Sequence, residues 1–273
     1  LVIDPNGRDG VAIKSTSDLD HALAGVILEA APVSLDATGE QGAMLLRDKL
    51  KGVAVQGTAF NLDPVGAHLR TGGDQSEAAL AAYLFAAQTT RDLPSARYLR
   101  VDARIVHETG ASEAQEIAYA LHSGITYLRG LETRALGIED SARAISFAVA
   151  VGPDALIEAA KLRALRLCWA RVLEASGAAP EHRAAHIHAF SSRRMMTRYD
   201  AWTNILRVAS AAFAAAVGGA DEITTYPLTD ALGLPTAFGR RVARNTQAVL
   251  ADHHMAVQRL AVGVVHRRAQ VGA

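Results

Sequence analysis

Three places in the sequence hold residue types that could do chemistry at a useful spacing. His107-Glu108, just before Thr109-Gly110-Ala111, joins an imidazole to a carboxylate, the side chains most used to move protons near neutral pH. Read as the end of an extended stretch, the pair would sit at the rim of a sheet as general acid and base. His186 and His188 stand two apart, so on a strand both rings face one side. That suits a metal, but no cysteine or carboxylate group stands at matching spacing, and no metal is expected. Ser191-Ser192-Arg193-Arg194-Met195-Met196 follows the His186 strand and precedes a helical stretch. Its two guanidiniums could grip a carboxylate or a phosphate, or the charged loop could contact a neighbouring domain or chain.

Other chemistries lack their signatures. Neither Gly-x-Gly-x-x-Gly nor Gly-x-x-x-x-Gly-Lys occurs, so no phosphate-cradling loop is expected. The single cysteine, Cys168, cannot form an internal disulfide and reads as a small core residue, which fits a reducing, cytoplasmic setting. Adjacent His253 and His254 diverge by about 100° on a helix and read as solvated or interfacial.

The elements that must position these groups follow from bulk and period. The chain has 273 residues, 50% of them hydrophobic, enough for one large core. Basic and acidic residues number 28 each, so no net field draws in nucleic acid or an anionic membrane. No apolar run approaches the ~20 residues that span a bilayer. Short β-rich runs fall at 1–3, 11–13, 33–35, 52–55, 98–106, 145–151, 186–190 and 222–226. Between them lie helices: 18–24, capped by Ser17 with Asp20; 113–121, capped by Ser112 and closed by Gly124; and 154–173, with Leu156, Ala160, Leu167 and Trp169 on a buried side. Asp200 caps 201–217, which Gly218-Gly219 stops, and Pro235 opens a helix running past Leu250. About eight strands alternating with helices suggest an α/β fold, a TIM-like (β/α)8 barrel incomplete at its start, although a doubly wound sheet shares the alternation. The expected organisation is one barrel domain over 1–256 and a tail of unassigned role over 257–273.

Several of these segments resemble the methylmalonyl-CoA mutase family. The run from His107 to Tyr119 looks like the family's Gln-Glu-Ala-Gly-Ala strand end and following helix, and Ser191 to Trp202 is similar to the Ser-Arg-Arg-Met-Met-Thr run of its small subunits. Ala231-Leu232-Gly233-Leu234-Pro235 and Ala243-Arg244-Asn245-Thr246-Gln247 match two further landmarks, and the likeness runs from about Val11 to Asp252. The resemblance implies a barrel that, in catalytic subunits, threads coenzyme A along its axis against adenosylcobalamin held by a separate C-terminal domain. The chemistry implied is a radical rearrangement of the acyl group, whose hard step the cofactor carries.

Position by position, the same resemblance argues against catalysis here. Active subunits read Gly-Tyr-His-Met-Gln-Glu-Ala-Gly; the Tyr, His and Gln positions hold Arg104, Ile105 and His107. Ile105 cannot hydrogen-bond a substrate carbonyl. Where active subunits read Gln-Thr-Ser-Gly, this chain has Phe190-Ser191-Ser192-Arg193, adding bulk that would fill the channel. Asp252-His253-His254-Met255-Ala256-Val257 imitates the family's cobalamin motif Asp-x-His-x-x-Gly but ends in Val and continues a helix. The expectation is therefore a structural small subunit, binding no cofactor itself and forming a heterodimer with a large catalytic subunit that holds adenosylcobalamin and meets the acyl-CoA. Two rivals stand beside it: an active barrel using His107 and Glu108, its imidazole displaced two positions along one face of a strand, and a coenzyme A-binding module gripping its ligand through Arg193, Arg194 or Arg70. Barrel-mouth candidates for substrate contact are Arg104, His188, Arg193 and Arg194.

Overall fold

The computed structural model describes residues 11, 13–36, 39–53, 57–233 and 235–250. The strand expected at 1–3, the histidines at 253 and 254, the cobalamin-like stretch and the tail from 257 lie outside them. The chain forms two compact units that interleave in sequence. The first comprises Leu1–Ile105, Ile117–Ala148 and Arg166–His186; the second comprises Val106–Glu116, Val149–Leu165 and Ile187–Ala273.

The first unit contains α1 (Thr16–Ala22), α2 (Glu40–Leu50), β1 (Ala59–Leu62), α3 (Pro64–Thr71), α4 (Ser76–Thr89) and β2 (Arg97–Asp102). After α5 (Arg104–Glu108), α6 (Glu113–Glu132) returns to this unit. There follow α7 (Ile138–Ala144) and β3 (Ile145–Val151), whose end belongs to the second unit. The second unit also holds the first half of α8 (Ala155–Ala175), β4 (Ile187–Ser191), α9 (Thr203–Gly218), β5 (Glu222–Thr224) and α10 (237–250).

The pairings of β1 with β2, β2 with β3 and β4 with β5 are parallel, and the strands run in the order β1-β2-β3-β4-β5. Sequential order without a reversal excludes the doubly wound sheet, which has a switch point. Among the described residues there are five strands, so a ring of eight is only partly represented. The stretch 33–35 contributes a single bridge from Ser34 to Ala59. At 52–55, Gly52 lies in a turn and residues 54 and 55 fall outside the description. The strand is instead β1, four buried residues whose Asn61 adopts φ 55° and sends its amide to the Leu35 carbonyl at 2.7 Å and to Ser34 Oγ at 2.9 Å. A polar residue in a left-handed conformation breaks the β pattern that sequence reading relies on.

The run at 98–106 is not all strand. Asp102 Oδ1 accepts from the Arg104 amide at 3.2 Å, an Asx turn that ends the ladder and starts the short helix α5. His107 and Glu108 are thus helical. Two positions along a helix turn about 200°, so His107 and Ile105 do not share a face as they would on a strand.

Other boundaries move for local reasons. Ser15, not Ser17, caps α1, with Asp18 completing a capping box. α9 starts at Thr203, and Pro235 precedes α10, whose cap is Thr236 accepting from the Gly239 amide at 3.0 Å. On α8 the buried residues are Glu158, Ala159, Lys161, Leu162, Leu165, Trp169 and Leu173, and Ala160 is exposed. Leu156 and Leu167 point outward, and Cys168 is half-buried rather than in the core. Two buried charges inverted the apolar pattern of that helix.

Gly124 does not close α6 but lies within it. A Cβ there would come within 2.7 Å of Trp169 Cζ3 and 3.3 Å of Phe147 Cε1, and those two rings pack edge to face at 4.8 Å. Gly124→Ala should therefore lower stability by roughly 1–3 kcal/mol despite alanine's better helix propensity. Urea denaturation would show this as a lower midpoint with an unchanged slope.

Candidate functional site

Two clusters of charged groups gather at the C-terminal ends of the strands, one within each unit. In the first unit, Asp63 follows the end of β1 and Asp102 ends β2. Asp63 caps α3, its Oδ1 accepting from the Gly66 amide at 3.0 Å and from the Tyr127 hydroxyl. Burial drives the Asp63 carboxyl above its usual range, outweighing the Tyr127 hydrogen bond. Asp102 accepts Arg104 on both oxygens, at 2.7 and 2.8 Å, the strong bidentate geometry, and Arg70 at 3.4 Å. Burial pushes Asp102 up, but Arg104, Arg100 and Arg70 together hold it below the usual range. Asp36 bridges Arg100 and Arg104; burial opposes its ionisation, yet the two guanidiniums hold it at about 2. The three arginines and three aspartates thus form a lattice among themselves.

In the second unit, β3 and β4 end beside α5 and α8. Glu116 Oε2 lies 2.9 Å from Lys161 Nζ and 3.3 Å from His107 Nδ1, while Oε1 accepts from the Ala150 amide at 2.9 Å. Lys161 also donates to the Ala150 carbonyl at 2.6 Å and sits 2.6 Å from Glu158. Glu158 in turn accepts from the Gly152 amide at 2.7 Å. His107 Nε2 meets Ser192 Oγ at 2.8 Å. All five side chains belong to residues no more than 3% exposed. Burial pushes the Glu116 carboxyl up, but His107 and Lys161 outweigh it and hold it below the usual range.

Ser192, His107 and Glu116 stand in the order of nucleophile, base and acid. Acyl transfer needs two more things, access and an oxyanion hole. Ser192 is buried, its amide donates to the Val151 carbonyl at 2.8 Å, and the next amide, Arg193 N, donates to Glu108 Oε1 at 2.9 Å. Both amides are already engaged. The triad is an internal strut.

The expected site residues are all placed. His107 belongs to the buried network, and Glu108 holds the Arg193 amide. Arg193 pairs with Asp230 at 3.0 Å and lies over the Tyr226 ring at 4.2 Å. Arg194 donates to the His107 carbonyl at 2.8 Å and the Ala111 carbonyl at 3.3 Å. His188 stacks on Phe190 at 4.0 Å, with Nε2 2.8 Å from Thr224 Oγ1 and Nδ1 3.3 Å from Glu222. Arg104 and Arg70 belong to the lattice of the first unit. Among the described residues, no three histidines, cysteines or carboxylates gather as a metal site. Sequence reading missed Glu116, Glu158 and Lys161, for which the only signal was a Glu-x-x-Lys spacing in a helix otherwise short of charge on that side.

Comparison with known proteins matches the profile of the family described as methylmalonyl-CoA mutase to residues 4–260, and the chain belongs to that family. It is 43% identical over 256 residues to the methylmalonyl-CoA mutase small subunit of Streptomyces virginiae, covering 90% of this chain and 41% of that protein. The small subunit of Propionibacterium freudenreichii subsp. shermanii is 36% identical over 259 residues, covering 92% and 39%. The large subunit from the same organism is 29% identical over 266 residues, covering 89% and 35%. The chain therefore spans about two-fifths of the length of these relatives.

Proposed function

We propose that this chain is the barrel portion, a single (β/α)8 domain over residues 1–256, of a small mutase subunit that is structural rather than catalytic. Its partner would be a large subunit that holds adenosylcobalamin and isomerises methylmalonyl-CoA and succinyl-CoA in the cytoplasm. One observation carries the reading: every candidate group for substrate contact, from Arg104 and His107 to Arg193 and Arg194, already has an internal partner. His107 is buried and Arg104 nearly so, and both must break those bonds before binding a ligand, while Arg193 and Arg194 are exposed at the surface with their guanidiniums already held by Asp230 and by two carbonyls. The higher identity to small subunits than to a large one supports the same reading. So does Ile105, which stands where catalytic relatives carry an imidazole and cannot hydrogen-bond an acyl carbonyl.

The cofactor, bound in the partner, would supply the radical; this chain would supply a rigid surface that orders the partner. The full-length small subunit, assayed alone with adenosylcobalamin and methylmalonyl-CoA, should give no succinyl-CoA, and the pair should turn over. Turnover by the small subunit alone would overturn the proposal. A loss of turnover in the pair after His107→Ala, with the complex intact, would favour the rival in which His107 acts on substrate.

A further inference from the structure

The α9 helix is apolar on both sides. Its inner face is Asn204, Val208 and a run of buried alanines. Its outer face carries Trp202, Leu206 and Phe213, exposed by 64%, 74% and 48%. Positions 202, 206, 209 and 213 follow the spacing that keeps side chains on one line along a helix, here with Ala209 between the larger groups. Arg207 is the helix's single charged residue, and its guanidinium donates to the Met195 carbonyl. An apolar stripe on the outer side of a helix whose inner face is already packed is ordinarily covered by a partner. At the N-terminal end of the stripe Phe238 of α10 packs edge to face on Trp202 at 5.9 Å, extending the apolar surface.

Three arginines lie around this surface against one aspartate. Arg241 lies over the Phe238 ring at 5.5 Å, and Arg244 follows three positions further along α10. Arg198 precedes the fully exposed Tyr199. Among the described residues neither Arg198 nor Arg244 has an ion-pair partner. Asp200, next to Tyr199 in the chain, is engaged by the Thr203 hydroxyl and by the Trp202 amide at 3.1 Å. Exposed tryptophan, tyrosine and arginine around an apolar centre is the composition of protein-interface hot spots. A symmetric contact with a second copy would set arginines against arginines.

We propose that the outer face of α9, with Phe238, Arg241 and Arg244 beside it, docks an acidic-rimmed apolar surface of a different polypeptide, the large mutase subunit. This rests on the structural-subunit reading above. The test is hydroxyl-radical footprinting of the full-length small subunit, alone and with its large partner, read by mass spectrometry at Trp202 and Phe238. Both should be oxidised in the subunit alone and protected in the pair. Leu206→Asp should weaken association roughly 30-fold or more. Arg241→Glu with Arg244→Glu, both on an exposed helix face, should slow association and flatten its salt dependence. Circular dichroism would confirm that each variant is folded.

Protection of Trp202 in the subunit alone would overturn the proposal: at monomer mass the rest of the same chain covers the face, and at dimer mass a second copy does. A complex that forms normally while Trp202 stays reactive and the variants bind like wild type would overturn this surface and leave the subunit reading standing. Failure of the unaltered subunits to associate would overturn both.

Discussion

Glu116→Ala is expected to be among the most destabilising single substitutions in this chain, at about 3–5 kcal/mol. The residue is fully buried and holds three groups at once, the Lys161 ammonium, the His107 imidazole and the Ala150 amide. Removing it leaves a buried amide without an acceptor and a buried lysine with only Glu158 and the Ala150 carbonyl. Total stabilities of about 5–15 kcal/mol mean that such a loss brings a domain close to unfolding. Urea denaturation followed by circular dichroism should show the midpoint falling by a large fraction. A shift within the scatter of surface substitutions, about 0.5 kcal/mol, would mean the network does not hold the second unit together. The pH dependence carries a further sign. Because its folded carboxyl is held below the usual range, Glu116 contributes stability that is present above the unfolded value near 4.5 and lost as pH falls through the folded one. The acid limb of the stability profile should be shallower in Glu116→Ala.

Asp102→Ala is expected to cost a similar 3–5 kcal/mol in the first unit. It removes the bidentate partner of Arg104 and the cap on the Arg104 amide, and it leaves Arg100, two of whose nitrogens already lack partners, leaning on Asp36 alone. Asp102→Asn keeps an oxygen for the amide but not the charge, so it should fall between wild type and alanine. Here too the folded carboxyls of Asp102 and Asp36 are depressed, Asp36 to about 2, so their stabilisation is present above the unfolded value near 3.8 and lost on acidification below it. Thermal unfolding at pH 7 and pH 3 should show the variant's deficit shrinking at the lower pH. An Asp102→Ala protein as stable as wild type at pH 7 would mean the lattice is decorative.

The α/β alternation was legible because it rests on period: β2, β3, β4 and β5 overlap runs that read as strands, and α6, α8 and α9 overlap runs that read as helices, although α6 continues to Glu132 where Gly124 was read as its end. What escaped was fixed by contacts across long sequence separations. β1 escaped because Asn61 trades β pattern for hydrogen bonds to residues 34 and 35. The buried face of α8 escaped because Glu158 and Lys161 look like solvent-facing residues until Glu116 is brought to Lys161 by the fold. Gly124 reads as a stop signal until Trp169 is seen beside it. The candidate site was half legible. Sequence reading singled out His107, Arg193 and Arg194, but placed His107 at a strand end where a short helix stands, and did not show that Ser192, Glu116 and Asp230 would tie them down. A side chain's availability depends on partners that no local spacing encodes.

The account turns on whether those tied residues can still grip a ligand. Calorimetric titration of the full-length small subunit with coenzyme A tests this directly. The internal networks predict no saturable heat at micromolar concentrations. A saturable isotherm that disappears on Arg104→Ala or Arg194→Ala would contradict the account, because it would show that a ligand outcompetes the partners these arginines hold.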